Sequence, residues 1–330
     1  MITINKGGLL TTVQDLGRFG YQKFGVVVGG AMDTLAHRLA NIMIGNDESW
    51  PTLEITLLGP TIQFQKDSLI SICGGHLSPT INGKEIRLWR PIFVKKGSEL
   101  RFGSCRKGCR AYLAVAGGFS VPTVMKSKST YIRAAIGGFK GRALKSGDRL
   151  LFGLPNKQSL KIEANLSKSI TTDFVEANWC VSALLSNYQT LNPIRIIRGR
   201  QFHLFTEESR KNLFNATFKV TTESDRMGYR IKGPELTLIK RDEMISEAVG
   251  FGTIQVPNDG NPIILMADRQ TTGGYPKIGH VTTVDLPLLA QAKPGDLLHF
   301  KEISLEEAQV LFLEKEKQIQ ILKQGILNKC

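Results

Sequence analysis

The 330-residue chain has little of what marks the specialised protein classes. No apolar run approaches the roughly 20 residues that a membrane-spanning helix needs, which excludes a helical membrane protein. Five cysteines (Cys73, Cys105, Cys109, Cys180, Cys330) are too few for a disulfide framework in a chain of this length. Cys105 and Cys109 stand four apart without a second Cys or His pair, and the five histidines form no HxH or HExxH, so no metal site is expected. There is no Walker-type phosphate loop and no Gly-x-Ser-x-Gly elbow, which removes the commonest routes to nucleotide binding and serine hydrolysis within one chain. Between Met1 and Gly20, the residues Asn5, Lys6, Gln14 and Asp15 stand where a signal peptide would be apolar, so a cytoplasmic protein is expected.

What is present describes a folded chain with 42% apolar and 22% charged residues, long enough for two domains. Lys and Arg exceed Asp and Glu by 43 to 29, giving a formal charge of +14. Such a balance makes nucleic acid the first partner to test. The basic residues are spread along the chain, however, without a basic tail or interleaved aromatics. They fit anionic small molecules or an acidic partner protein better, and neither nucleic acid nor membrane is expected as a partner.

The pattern is mainly β. Short Val/Ile/Leu-rich segments recur between turn residues: Thr61–Phe64, Leu69–Cys73, Ile92–Val94, Tyr112–Val115, Ile194–Ile197 and Ile263–Met266. With 33 glycines and 13 prolines as punctuation, barrels or sandwiches fit better than a doubly wound sheet. A Gly-Ser/Asp-x-Leu-x-Phe phrase occurs three times, from Gly97, Gly147 and Gly295. It predicts a tight turn feeding a strand whose Leu and Phe face a core. Two helices stand out, Met32–Ile44 and a C-terminal helix opening on the capping box Ser304-Leu305-Glu306-Glu307. The polar stretch Leu154–Asn192 lacks periodicity and is placed as the junction, giving domains 1–192 and 193–330.

Three acid–arginine clusters fall in glycine-flanked turns: Gln14-Asp15-Leu16-Gly17-Arg18, Ser224-Asp225-Arg226-Met227-Gly228, and Asp268-Arg269-Gln270-Thr271-Thr272-Gly273-Gly274-Tyr275-Pro276. A Thr-Thr-Gly-Gly turn can aim successive backbone N–H groups at an anion or a developing oxyanion. An adjacent Arg offers a fork for a carboxylate, and an Asp can orient or take a proton. The structural alternative is that each Asp–Arg pair locks one loop to its neighbour. Val124-Met125-Lys126-Ser127 has the form of a biotin-carrying tetrapeptide, but its surroundings do not fit a biotinyl module.

At these clusters the sequence resembles the biotin-dependent carboxyltransferase, allophanate hydrolase subunit 2 or KipA family, which includes the C-type subunit of 5-oxoprolinase. Further matching stretches are Gly30–Asp33, Leu53–Thr56, Arg110–Val115, Ile245-Ser246-Glu247 and Gly252–Pro257, which contains Gln255. The resemblance implies two cyclophilin-like β-barrel domains in tandem with a cleft at their junction. It implies one component of an ATP-dependent 5-oxoprolinase, working with a KipI-like partner and a lactam-binding partner, with ATP as co-substrate. The alternatives it carries are carboxyl transfer from carboxybiotin to urea or a similar amide, and a KipA-type protein that antagonises a KipI-like kinase inhibitor. Asp33, Asp225 and Asp268 are the candidate catalytic groups. Gln14, Asp15, Arg18, Arg226, Glu247, Gln255 and Arg269, Gln270, Thr271, Thr272, Gly273, Gly274 and Tyr275 are the candidate binding residues. The chain departs from the family pattern where Val27 and Gly29 replace a Pro and a Ser, and where Lys126 and Lys128 replace a Gly and an Arg.

Overall fold

The structure is a computed structural model and describes residues 1–182, 185, 193–240 and 244–329. The chain divides into two compact units. Unit 1 comprises Met1–Arg18, Gly29–Asn187 and Gln318–Cys330; unit 2 comprises Phe19–Val28 and Tyr188–Lys317. Both are built on sheets, as the mainly-β, tandem-barrel reading expects. The described helices are α1 (Thr34–Met43), α2 (Lys157–Ser167), α3 (Glu207–Asn215), α4 (Leu286–Ala290) and α5 (Leu305–Lys329).

In unit 1 two six-stranded sheets form. The strand Ser68–His76 explains why the apolar runs are continuous rather than alternating. Its Ile70 and Ile72 enter one core with Ile4, Leu53, Ile62 and Leu113. Its Leu69 and Cys73 enter a second core with Leu35, Leu39 and Met43 of α1. Successive side chains of a strand point to opposite faces, so a strand covered on both sides reads as unbroken hydrophobicity. Tyr112 and Ala114 of the strand Lys107–Val115 face the α1 side in the same way.

Unit 2 has one eight-stranded sheet, ordered 297–298, 218–220, 228–232, 263–265, 253–255, 277–281, 194–198 and 300–302. Its two edge strands are consecutive in the chain, with only His299 between them. The sheet must therefore curl until its edges nearly meet, which makes a nearly closed barrel. Its interior holds Ile196, Ile231, Ile254, Ile264, Phe218 and Phe300. A two-stranded ribbon pairs Glu247–Ala248 with Thr272–Gly273.

The repeated turn phrase behaves as read. Gly97, Gly147 and Gly295 have φ of 88°, 86° and 96°, a conformation that favours glycine. The strands Glu99–Arg101, Arg149–Leu150 and Leu297–Leu298 follow, with Leu100, Leu150 and Leu298 buried. The helix boundaries also hold closely. The Asp33 carboxylate caps α1 by accepting from the Ala36 N–H at 2.8 Å. The capping box closes in both directions: Glu307 N–H donates to Ser304 Oγ at 3.1 Å and Ser304 N–H to Glu307 Oε2 at 2.7 Å. The stretch Leu154–Asn192 is more ordered than its polarity suggests. It contains α2, capped by Asn156 at Ser159 N–H, and the strand Phe174–Glu176. Residues 183–184 and 186–192 of that stretch lie outside the described residues.

Candidate functional site

Gln14, Asp15, Arg18 and Asp33 gather in unit 1. Asp15 follows the strand Leu10–Gln14 and is nearly buried. Its Oδ1 accepts from Gly17 N–H at 2.9 Å and Ser127 Oγ at 2.8 Å, and also from Ser129 Oγ. Its Oδ2 accepts from the Lys128 N–H. Hydroxyl and backbone donors thus satisfy the lone pairs of this buried carboxylate. Beside it, the fully buried Arg18 donates from Nε to Val124 C=O at 3.1 Å and from Nη2 to Ser129 C=O at 2.8 Å. Gly137 makes room for this: a Cβ there would lie 2.7 Å from Arg18 Nη2 and 2.1 Å from Ser129 C=O, at a φ of +69°. Gln14 is buried as well and donates to Thr12 Oγ1 and Thr130 C=O.

Two of the family departures, at Lys128 and Gly29, fit this geometry. Lys128 serves Asp15 through its backbone N–H. Gly29 has a φ of 65°, where glycine is more at ease than the Ser it replaces. Val124 and Ser127 exchange backbone hydrogen bonds, so Met125 and Lys126 form a hairpin tip with φ of 50° and 61°.

Asp33 is fully buried. Its backbone N–H donates to Tyr112 Oη at 2.8 Å, and Tyr112 Oη donates to Glu54 Oε2 at 2.8 Å. Glu54 Oε2 also accepts from Met32 N–H at 2.8 Å, so this carboxylate fixes the Met32–Asp33 backbone from beneath. Burial pushes the Tyr112 phenol well up, with Glu54 and Asp33 adding to the shift, and keeps it a donor. Next to it His37 donates or accepts at Thr52 Oγ1 over 2.9 Å. Burial pushes His37 down to about 4, so it is neutral at pH 7. Glu54, Tyr112 and His37 were not among the sequence candidates. The available signal was a single polar residue inside an otherwise apolar strand or helix face.

The remaining candidates lie in unit 2. An Asp–Arg pair here joins one loop to another: Asp268 pairs with Arg226 of the preceding cluster, 42 residues away. The pair is bidentate, Nε to Oδ2 at 2.9 Å and Nη2 to Oδ1 at 3.0 Å, and both residues are buried. Asp225 is exposed and closes a turn by accepting from Met227 N–H at 2.7 Å. Arg269 lays its guanidinium over Phe251 at 5.7 Å and donates from Nη1 to Met266 C=O at 3.3 Å. Its Nε is buried without a hydrogen-bond partner among the described residues. Burial pushes Arg269 down to about 10, which leaves it charged at pH 7.

The Thr271–Gly274 segment is not a free turn. Thr272 and Gly273 are a short strand paired with Ala248 and Glu247. Gln255 is buried and presses on it: a Cβ at Gly273 would meet Gln255 Nε2 at 2.5 Å. Glu247 holds Lys277 Nζ at 2.9 Å, Arg200 Nη1 at 3.0 Å and Gln201 Nε2 at 3.3 Å. Lys277 foremost keeps the Glu247 carboxyl below its usual range, despite some opposing burial. Gln270 is half-buried, while Thr272 and Tyr275 are exposed. Lys277, Arg200 and Gln201 escaped sequence reasoning because the partners lie far apart in the chain. Chemically, unit 2 offers a buried charged fork, a partly unsatisfied guanidinium and a short strand carrying Thr and Gly.

The chain matches the carboxyltransferase domain family, subdomains A and B, over residues 24–302. It is 38% identical to the 5-oxoprolinase C-type subunit of Haemophilus influenzae, with 92% of each chain covered. It is 37% identical to the protein of that name in Escherichia coli, with 93% of each covered. Among solved structures it is similar to the Kluyveromyces lactis urea carboxylase, with a TM-score of 0.87 and 32% identity. That match covers 98% of this chain but 29% of the yeast one, so the chain spans less than a third of that enzyme.

Proposed function

The chain belongs to the carboxyltransferase domain family, and from that premise we propose that it is the C-type subunit of an ATP-dependent 5-oxoprolinase. The near-complete reciprocal match with the two bacterial proteins carries this reading, because the urea enzyme holds the same fold only as a fraction of a longer chain. The reaction opens 5-oxoproline to L-glutamate with conversion of ATP to ADP and phosphate. The lactam oxygen takes the γ-phosphoryl group and ADP leaves. Water then attacks the ring carbonyl carbon and the ring C–N bond breaks as nitrogen takes a proton, leaving a γ-glutamyl phosphate, which a second water hydrolyses to glutamate and phosphate.

A lactam activated this way needs donors where charge grows on its oxygen, and a cation for its carboxylate. The Thr271–Gly274 segment is proposed for the first role and Arg269 for the second, since its Nε has no hydrogen-bond partner among the described residues. Arg226 holds Asp268 in a fixed orientation, and Asp268 is the proposed acid–base or orienting group of this unit. Asp33 and Asp225 act on this reading through the backbone turns they cap. ATP is shared with the KipI-like and lactam-binding partners, so the isolated chain should bind ATP weakly and turn over little. Mixing the chain with both partners, 5-oxoproline and ATP should yield glutamate and ADP, and Arg269→Ala should raise KM for 5-oxoproline more than it lowers kcat. A well-formed complex that yields no glutamate overturns the proposal.

The similarity to urea carboxylase favours a second reading, carboxyl transfer from carboxybiotin to an amide. Adding a carboxylated biotin carrier and urea tests it directly: labelled carboxyl reaching urea would replace the first reading. A KipA-type role as antagonist of a KipI-like inhibitor would be adopted if Asp268→Asn and Arg269→Ala left every cellular function intact while the partner still bound.

A further inference from the structure

The two-stranded ribbon of Glu247–Ala248 and Thr272–Gly273 carries the segment proposed above for the lactam oxygen, yet it is too short to hold its own place. Isolated two-stranded pairs are marginal at best in water. Its position against the barrel must therefore be set from outside the ladder, and two neighbouring barrel strands supply the means. Gln255 of the strand Thr253–Gln255 and Lys277 of the strand Lys277–Val281 are register partners. Their side chains therefore leave the same face of the sheet.

Lys277 reaches the ribbon through Glu247. Its side chain is 11% exposed, and Nζ donates to Glu247 Oε2 at 2.9 Å, its only hydrogen bond among the described residues. The buried Gln201 closes a ring around this pair. Its Nε2 donates to Glu247 Oε2 at 3.3 Å, while its Oε1 accepts from the Lys277 N–H at 3.3 Å. The Glu247 backbone in turn pairs with Gly273. On the other flank Gln255 Nε2 donates to Tyr275 C=O at 3.4 Å and stands 2.5 Å from where a Gly273 Cβ would be. Taking an ammonium out of water for a carboxylate that is itself 32% exposed is a poor source of stability, because desolvation offsets the attraction. What such a pair does fix is the place of the strand that carries the carboxylate.

We infer that Lys277 is a positioning residue, which through Glu247 holds the Thr272–Gly273 strand where the donors for the lactam oxygen are needed. The inference rests on the 5-oxoprolinase reading, and kinetics separate the role of Lys277 from that of Arg269. A group that binds the substrate carboxylate equally in ground and transition states moves KM. A group that places donors for charge appearing only in the transition state moves kcat and kcat/KM together. In the complex with both partners, Lys277→Met should lower kcat about tenfold or more and leave KM for 5-oxoproline within about twofold of wild type. Its thermal midpoint should stay close to wild type, because Glu247 keeps Arg200, Gln201 and water. Lys277→Arg, which keeps a cation for Glu247, should recover most of the lost kcat. Gly273→Ala forces the strand or the Gln255 amide to move from the other flank, so it should show the same split, and it carries the test alone if Lys277→Met does not fold. Wild-type kcat in a folded Lys277→Met overturns the inference. So does a raised KM at unchanged kcat, which would make Lys277 a substrate-binding cation. A wild-type complex that makes no glutamate is a different failure, which removes the 5-oxoprolinase reading and this inference with it.

Discussion

The two units handle the same problem, a buried aspartate next to an arginine, in opposite ways. In unit 1 Asp15 is held by two hydroxyls and two amide N–H groups, while Arg18 spends donors on carbonyl oxygens. In unit 2 Asp268 takes a fork from Arg226. A buried ion pair depends on both partners at once, but it can be deleted as a pair. A carboxylate held by the backbone and several side chains has no single partner to delete with it.

The largest effect should come from breaking the pair on one side. Arg226→Ala leaves the Asp268 carboxylate buried without its fork, and a loss of about 3–5 kcal/mol is expected by urea unfolding. Replacing both, as Arg226→Met with Asp268→Leu, should recover most of that stability while removing any activity. If the double variant is as unstable as the single one, the pair is not the separable unit described here.

Unit 1 has its own large term in pH. His37 is held near 4 in the fold against 6.5 in the unfolded chain. Above pH 6.5 neither state is protonated and the stability is complete. As pH falls from 6.5 towards 4 the unfolded state binds a proton that the native state refuses, and stability drops by up to about 3 kcal/mol. His280, also lowered, adds in the same direction from unit 2. Unfolding midpoints at pH 7 and pH 5 should therefore differ, and His37→Leu should flatten the slope more than His280→Leu. An unchanged slope in both variants would assign the pH dependence elsewhere.

Asp15→Asn comes next. The amide would turn two N–H donors towards donors already in place, Gly17 N–H or Lys128 N–H, at an expected cost of about 2–3 kcal/mol. Unlike Arg226→Ala, no single companion substitution should rescue it, and rescue by Ser127→Ala would break the comparison.

How much of this was legible follows from sequence distance. The strands around Ile62, Ile70, Leu113 and Ile196 and the two capped helices announce themselves within a few residues, because periodicity and caps are local. Helix α2 did not: Leu160, Ile162 and Leu166 are diluted by Lys, Gln and Asn, and only its Asn156 cap betrays it. The acid–arginine clusters were visible as composition in turns, yet their partners were not. Asp15 meets Ser127 across 112 residues and Arg226 meets Asp268 across 42, and neither separation leaves a trace in a single chain. Glu54 and Tyr112 stand in family-like stretches, but nothing in strand patterning says that one carboxylate and one phenol share a buried hydrogen bond.

The smallest expected effect probes the same contrast from the side chain that differs from the family. Lys128 replaces an Arg in that pattern, and a lost bidentate contact would ordinarily be felt. Here residue 128 reaches Asp15 through its N–H, which every residue except Pro supplies, and its C=O accepts from Gly138 N–H at 3.1 Å. Lys128→Arg should therefore change stability by no more than about 0.5 kcal/mol. Lys128→Pro should be costly by contrast, since it removes the donor. A gain well above that limit with Arg would mean that a charged side chain also serves the Asp15 cage, and unit 1 would then resemble unit 2 more closely than its hydrogen bonds indicate. A null result with Arg, set beside a loss with Pro, would place the function of this position in the backbone.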